Sequence, residues 1–162
     1  MTNTTLTAIR LCLPVIRPEF ARWIFRTSFL FVVSSVVAFS TGLWVAGVLG
    51  LFLCATSLCY WKLPLVGLRR KIDMCAAFVT FVYVVVLVSH SEGVHQSLAA
   101  AALLLGLASY GVSEHRRRKG DHRQSARLHC LLHACMNVAF ILVCSGLSER
   151  YAVGEHPLGF PA

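Results

Sequence analysis

Residues 27–61 read TSFLFVVSSVVAFSTGLWVAGVLGLFLCATSLCYW, thirty-five consecutive positions without a charged side chain. As a single helix this stretch would measure ~50 Å at ~1.5 Å per residue. The hydrocarbon core of a bilayer is only ~30 Å thick, so the stretch has to fold back on itself. Its weakest helical point is Ser40-Thr41-Gly42, where two hydroxyl residues precede a glycine. The reading is a hairpin of two membrane spans, about 27–40 (with Trp23 as an alternative start) and 42–60. Trp23, Trp44 and Trp61 then fall near membrane surfaces, where indole is favoured.

Three more apolar segments follow: 74–88, rich in Val, then 97–113, built on Ala and Leu, and finally 128–147. The β-branched residues do not argue for strands, because a lone lipid-exposed strand leaves its backbone polar groups unsatisfied. The connections 62–73, 89–96 and 114–127 are short, as in an antiparallel helical bundle. A composition of 57% hydrophobic and 14% charged residues, with a mean hydropathy of +0.69, excludes a soluble single domain. The expected fold is an all-α, polytopic integral membrane helical bundle of about five transmembrane helices. It divides into an interfacial segment 1–22, the bundle 23–147 and a short tail 148–162.

Fifteen Lys and Arg against seven Asp and Glu give a formal charge of +8. Their placement follows the spans: Arg10, Arg17, Arg22 and Arg26 precede the first, Lys62, Arg69, Arg70 and Lys71 lie in the second loop, and six more fall between 114 and 127. Only Arg150 lies elsewhere, so fourteen of the fifteen share one side of a five-span chain. By the positive-inside rule that side is cytoplasmic or its organellar equivalent, with the N-terminus inside and the C-terminus opposite. A four- or six-span reading spreads the basic loops over both sides. Each such charge near an anionic leaflet is worth ~1 kcal/mol, which suits acidic phospholipid headgroups as partners; setting topology would account for most of them by itself. Nucleic acid is not an expected partner, because no soluble domain carries the charge and the aromatic residues lie in the apolar segments.

In residues 1–19 Pro14 and Pro18 interrupt a modest apolar run, which favours a segment lying on the membrane over a targeting peptide. Asn3-Thr4-Thr5 matches the glycosylation pattern but falls on the wrong side for that chemistry. The seven cysteines, Cys12, Cys54, Cys59, Cys75, Cys130, Cys135 and Cys144, contain no CxxC pair and read as reduced thiols. Cys59 and Cys75 sit near the inner surface, where acylation occurs.

Helices associate in lipid through close backbone approach, and small residues four apart are the device. Gly42, Ala46, Gly50 and Cys54, leading towards Ser57, form the best such face; Ala99, Ala102, Gly106 and Ser109 form a looser one, and Ala76, Ala77 and Thr80 a third. These faces suit packing within the bundle, a protein partner or a second copy of the chain.

The residues with chemical content gather at the basic side: Ser57, Tyr60 and Trp61 where span two ends, Asp73 directly after Arg69-Arg70-Lys71, and His129, His133 and Asn137 in span five. The last three are spaced at four, so they share one helix face and descend ~6 Å per step. A carboxylate facing two imidazoles in a low-dielectric bundle has the donor types that zinc takes, with room for an activated water. The plainer reading pairs Asp73 with Arg70 at a helix N-terminus and leaves the histidines to loops or headgroups. Haem is disfavoured, since His90 and His95 belong to the opposite surface from His129 and His133.

Ser57 and Trp61 at the end of one span, Asp73 at the start of the next and His129-x-x-x-His133 in the last resemble the pattern of the alkaline ceramidase and progestin/adiponectin-receptor-like membrane hydrolases. In that superfamily a Ser-x3-His, an Asp and a final HxxxH build a zinc site that cleaves an amide-type bond in a lipid. The resemblance implies His129 and His133 as metal ligands, Asp73 orienting the attacking water and Ser57 assisting. Trp61 stands where that superfamily has its third histidine, and this chain has five spans rather than seven. His115, His122 or Asp73 would then have to supply the missing donor. Two functions follow from the sequence. One is a non-catalytic subunit, assembly or lipid-interacting membrane protein, which the short chain favours. The other is a zinc-dependent hydrolase of a lipid amide, or a degenerate relative of one.

Overall fold

A computed structural model describes residues 15–152, with 150–152 as backbone only. Arg10, Cys12, Pro14, the Asn3-Thr4-Thr5 pattern and the tail beyond 152 lie outside the described residues. Six helices follow in order: α1 (Pro18–Thr27), α2 (Leu30–Ser40), α3 (Trp44–Trp61), α4 (Leu68–His90), α5 (Gly93–Arg118) and α6 (His122–Ala152), with no strand among the described residues. Helices α1 and α2 run on as one span, Pro18–Ser40, which together with α3, α4, α5 and most of α6 makes five helices long and apolar enough to cross a membrane. The chain is an all-α, multi-span integral membrane protein.

The helices outrun the apolar segments that announce them. Hydropathy stops where the first charge appears, but the backbone hydrogen-bond ladder continues through Arg and Lys, which are good helix formers. Helix α1 starts at Pro18, whose fixed φ and missing N–H suit the first helical turn. The join between α1 and α2 is a tightening rather than a break. Phe29 N donates to Arg26 O, Phe31 N to Ser28 O and Val32 N to Phe29 O, all three-residue bonds. The hydroxyls of Thr27 and Ser28 both donate to Ile24 O, at 2.9 and 3.0 Å, as Ser and Thr do when they bend a membrane helix.

The hairpin falls at the residues where the apolar run is weakest. Leu43 N donates to Ala38 O and Gly42 N to Phe39 O, with Gly42 at φ +77°, which is the glycine-ended helix cap that a side chain with Cβ adopts only under strain. The same cap recurs after α5: Asp121 N donates to Arg116 O, Gly120 N to Arg117 O, and Gly120 stands at φ +81°. Asp121 then caps α6 by accepting from Gln124 N.

Helix α6 is the central element, contacting α1, α2, α4 and, over the greatest length, α5; α3 packs on α2 and α4. Helices α4 and α5 are joined by a tight turn yet touch each other little. Near the turn Gln96 Nε2 donates to Val88 O, and Val84, Leu87 and Val88 share a core cluster with Ala99 and Leu103. The stripe expected from Gly42 to Ser57 is consumed inside the chain except at Gly42, which precedes α3, is exposed and would meet nothing with an added Cβ. Ala46, Gly50, Cys54 and Ser57 are buried, and a Cβ added at Gly50 would meet Ser35 Oγ of α2. Gly106 of α5 lies likewise against Cys135 and Met136 of α6. Outward-facing Phe29, Val36, Val48, Phe78 and Leu104 give the bundle an apolar exterior. The main apolar core occupies the half remote from the basic loops, and most of the buried polar residues lie at mid-span or towards the basic end, with Ser91 at the remote turn.

Candidate functional site at the basic end

The antiparallel succession brings the start of α1, the end of α3, the start of α4, the end of α5 and the start of α6 to one end of the bundle. There Val15 N donates to Pro64 O at 2.8 Å, fastening the chain before α1 to the α3–α4 loop. Ile16, Ala21, Ile24, Tyr60, Trp61 and Ala126 form a small apolar cluster beneath it. Trp61 is thus 7% exposed and part of the core rather than an interfacial anchor, whereas Trp44 is 68% exposed and suits that role.

Asp73 is buried one turn into α4. Its Oδ1 accepts from Ser57 Oγ at 2.6 Å and from Thr56 Oγ1 at 3.3 Å, both on α3. Among the described residues no Lys or Arg pairs with it. The bonds come from adjacent hydroxyls because the α3–α4 loop is short enough to bring the last turns of α3 beside the first turns of α4. Sequence reading found Ser57 and Asp73, and the structure joins them; Thr56 had no signal beyond standing next to Ser57.

His129 and His133 share the face of α6 that points into the bundle, with ring centroids 5.0 Å apart. His129 lies among rings, 4.9 Å from Trp61 and 6.2 Å from Tyr110. His133 Nδ1 lies 3.0 Å from Thr27 Oγ1 in the tightened turn between α1 and α2, and its ring is 5.2 Å from Phe31. One turn further, Asn137 Nδ2 donates to His133 O and Asn137 Oδ1 accepts from Ser34 Oγ, each at 2.8 Å. Thr27 was missed in the sequence, since nothing in its neighbourhood marks a hydroxyl 106 positions from its imidazole as a partner.

Among the described residues no three His, Cys, Asp or Glu side chains group to hold one metal ion. A catalytic zinc commonly takes three protein donors, and the neighbour of His129 at the third position is Trp61, whose indole nitrogen is a donor only. His115 is exposed at the surface, and His122 is half-buried with an unpartnered Nδ1.

A cavity of about 70 Å³ connects these elements, lined by Tyr60, Trp61, Asp73, Tyr110, Glu114 and His129 among others. On its α5 wall, Arg117 donates from Nε and Nη2 to both oxygens of Glu114 at 2.7 and 2.6 Å, and Arg118 Nε adds a third bond at 3.1 Å. Ser113 Oγ donates to Ser125 O at 2.9 Å and ties α5 to α6. Cys59 and Cys75 are exposed, and Cys54, Cys135 and Cys144 are buried. Comparison with known proteins returns no match: no protein-family model, curated protein or solved structure is similar to this chain.

Proposed function

We propose that this chain is a non-catalytic, lipid-interacting membrane protein whose basic end engages anionic headgroups of the leaflet it faces. The observation that carries the reading is the exposure of Lys62, Arg69, Lys71, Arg116, Arg118 and Lys119 at one end of the bundle. The acidic groups there are occupied: Glu114 by two arginines, Asp73 by two hydroxyls, Asp121 as a helix cap. Arg118 shares Glu114 with Arg117, while Lys62, Arg69, Lys71, Arg116 and Lys119 face outward with no ion pair among the described residues, at ~1 kcal/mol each against an anionic surface. Of the small-residue faces named as candidate partner surfaces, the α3 stripe meets α2 at Gly50 and the α5 stripe meets α6 at Gly106, while Gly42 and Ala77 stay exposed.

Native mass spectrometry of the full chain, purified in detergent and offered dioleoyl phosphatidylglycerol and phosphatidylcholine, tests this. Wild type is expected to retain the anionic lipid preferentially, and an Arg116→Gln/Arg118→Gln/Lys119→Gln variant to lose most of that preference. Equal retention by both proteins overturns the reading.

A second reading, a relative of the ceramidase-like hydrolases that has lost a ligand, is supported by one arrangement: Ser57 bonds Asp73, and Trp61 lies against His129. Metal content separates the two. The non-catalytic reading expects no stoichiometric zinc in wild type purified without chelators, while the degenerate-relative reading expects Trp61→His to acquire about one per chain. Zinc in wild type that is lost in a folded His129→Ala/His133→Ala variant would favour the hydrolase instead.

A further inference from the structure

The first span differs from the others in where its charges stop. Its stretch without Lys, Arg, Asp or Glu, 27–40, measures ~21 Å as helix, against ~27 Å for 44–61 of α3 and ~32 Å for 128–148 of α6. A hydrocarbon core ~30 Å thick leaves the first span short, and Arg26 is the residue at which it stops. Two contacts fix the depth of that residue in the bundle. Ile24 packs in the apolar cluster that holds Trp61, the last residue of α3. Thr27 Oγ1 lies 3.0 Å from His133 Nδ1, and His133 stands six residues, ~9 Å of helix, beyond Arg127, the last charge at the start of α6. Arg26 is therefore about a turn inside the level at which α3 and α6 lose their charges.

Arg26 is exposed, with Arg22 one turn before it and Phe29, Leu30 and Val33 after it, all exposed as well. Steps of three and four keep these residues on one helix face. A guanidinium on a lipid-facing stripe is costly unless its head reaches the interface, and a span too short for the bilayer thins it locally. Among the described residues neither Arg22 nor Arg26 forms an ion pair. The carboxylates of this end are engaged elsewhere: Glu19, the first acidic residue of the chain, lies 3.9 Å from Arg17, Asp73 accepts from two hydroxyls and Glu114 from two arginines. Side chains four apart on a helix stand ~6 Å apart at Cβ, within reach of one phosphate for two arginines. They also lean towards the helix N-terminus, which for α1 is the basic end, where the headgroups are.

We propose that Arg22 and Arg26 clamp the phosphate of one anionic phospholipid, whose head is drawn inward along α1 past its neighbours and whose acyl chains lie over Phe29, Leu30 and Val33. The phosphate oxygens accept from both guanidiniums. A zwitterionic head would bring an ammonium beside two cations, so an anionic head is favoured. The site shares none of its residues with the exposed cations of the loops, and it holds one lipid at one place.

The test offers the delipidated full-length protein dioleoyl phosphatidylglycerol or dioleoyl phosphatidylcholine and counts bound lipid by native mass spectrometry. Arg116→Gln/Arg118→Gln/Lys119→Gln serves as the background, which removes the α5–α6 cations from the count. It is expected to fall to one retained phosphatidylglycerol per chain, still preferred to phosphatidylcholine and not displaced by excess inorganic phosphate. Adding Arg22→Gln/Arg26→Gln is expected to weaken that retention about tenfold or more, the size of a lost hydrogen bond to a charged group. Adding Arg69→Gln/Lys71→Gln instead removes as many exposed charges from the same end and is expected to leave it unchanged. In nanodiscs, a nitroxide on Leu30→Cys, in a chain whose native cysteines are replaced, is expected to broaden the lipid phosphorus resonance more with Arg22 and Arg26 present than with both changed to Gln. A background that keeps no phosphatidylglycerol, or keeps both lipids equally, overturns the proposal. So does displacement by inorganic phosphate, retention unchanged by Arg22→Gln/Arg26→Gln, equal loss from Arg69→Gln/Lys71→Gln, or equal broadening. A background that binds as wild type does, but loses its lipid on Arg22→Gln/Arg26→Gln, would end the reading based on the loop cations and support this one.

Discussion

Asp73 shows how a single residue's role depends on neighbours that the sequence does not place. The run Arg69-Arg70-Lys71 before it suggests an ion pair, yet its hydrogen bonds come from Ser57 and Thr56. Arg69 and Lys71 are exposed on other faces of α4, and Arg70, half-buried three positions before Asp73 on the same side, lines the same cavity without an ion pair to it. A buried carboxylate deprived of its short bond carries a cost of ~1–3 kcal/mol or more. We therefore expect Ser57→Ala to destabilise the bundle by about that amount, measured by unfolding in mixed micelles. In an Asp73→Asn background the same substitution should cost clearly less, because no charge is left unsatisfied. Additive effects of the two substitutions would mean that the 2.6 Å bond contributes little. The histidines illustrate the complementary case. Their four-residue spacing makes a shared face legible, but whether that face meets a carboxylate, a hydroxyl or an aromatic ring depends on helix rotation, and here His129 meets Trp61 and His133 meets Thr27.

At the scale of elements, what the sequence discloses well is where helices must turn. An uncharged run too long for one span, with Ser40-Thr41-Gly42 inside it, admits a single folding back, and Gly42 takes the positive φ that ends α2. The stripe Ala46, Gly50, Cys54 is equally legible as a contact face, because its spacing is a property of one helix. Which helix meets it is not, since that depends on the angle at which α2 and α3 cross. The structure answers with Ser35: a Cβ at Gly50 would strike its Oγ, which is itself bonded to Phe31 O at 2.6 Å. The hydroxyl cannot swing away without giving up that bond. Gly50→Ala is expected to cost ~1–3 kcal/mol as overpacking, and Ser35→Ala to recover most of it. A double-mutant cycle read by unfolding in mixed micelles checks the coupling, and an additive result would remove the α2–α3 contact at this point. Ser34 and Asn137 offer a parallel case across α2 and α6, joined at 2.8 Å. Their coupling is expected within the ~0.6–2 kcal/mol found for hydrogen bonds between membrane helices.

For the whole molecule, the charge distribution and the bundle topology constrain each other. Five spans put every Lys and Arg of the described chain except Arg150 at one end, and the opposite turns, 41–43 and 91–92, hold no Lys or Arg. Any change in the number of spans would separate these clusters, so orientation and span count are tested by one experiment. In a variant with every cysteine replaced by Ser or Ala, Ser40→Cys places an exposed thiol at the α2–α3 turn and Lys119→Cys one at the α5–α6 turn. The positive-inside rule predicts that a membrane-impermeant maleimide added to intact cells labels the first, and reaches the second only after lysis. In organelles sealed with the cytoplasmic face outward the pattern inverts, but the two sites still label from opposite sides. Labelling of both from the same side would break the five-span topology itself. Labelling from opposite sides in the reversed sense would preserve the bundle and move the basic end, with its cations and its cavity, to the leaflet that the rule assigns to the C-terminus.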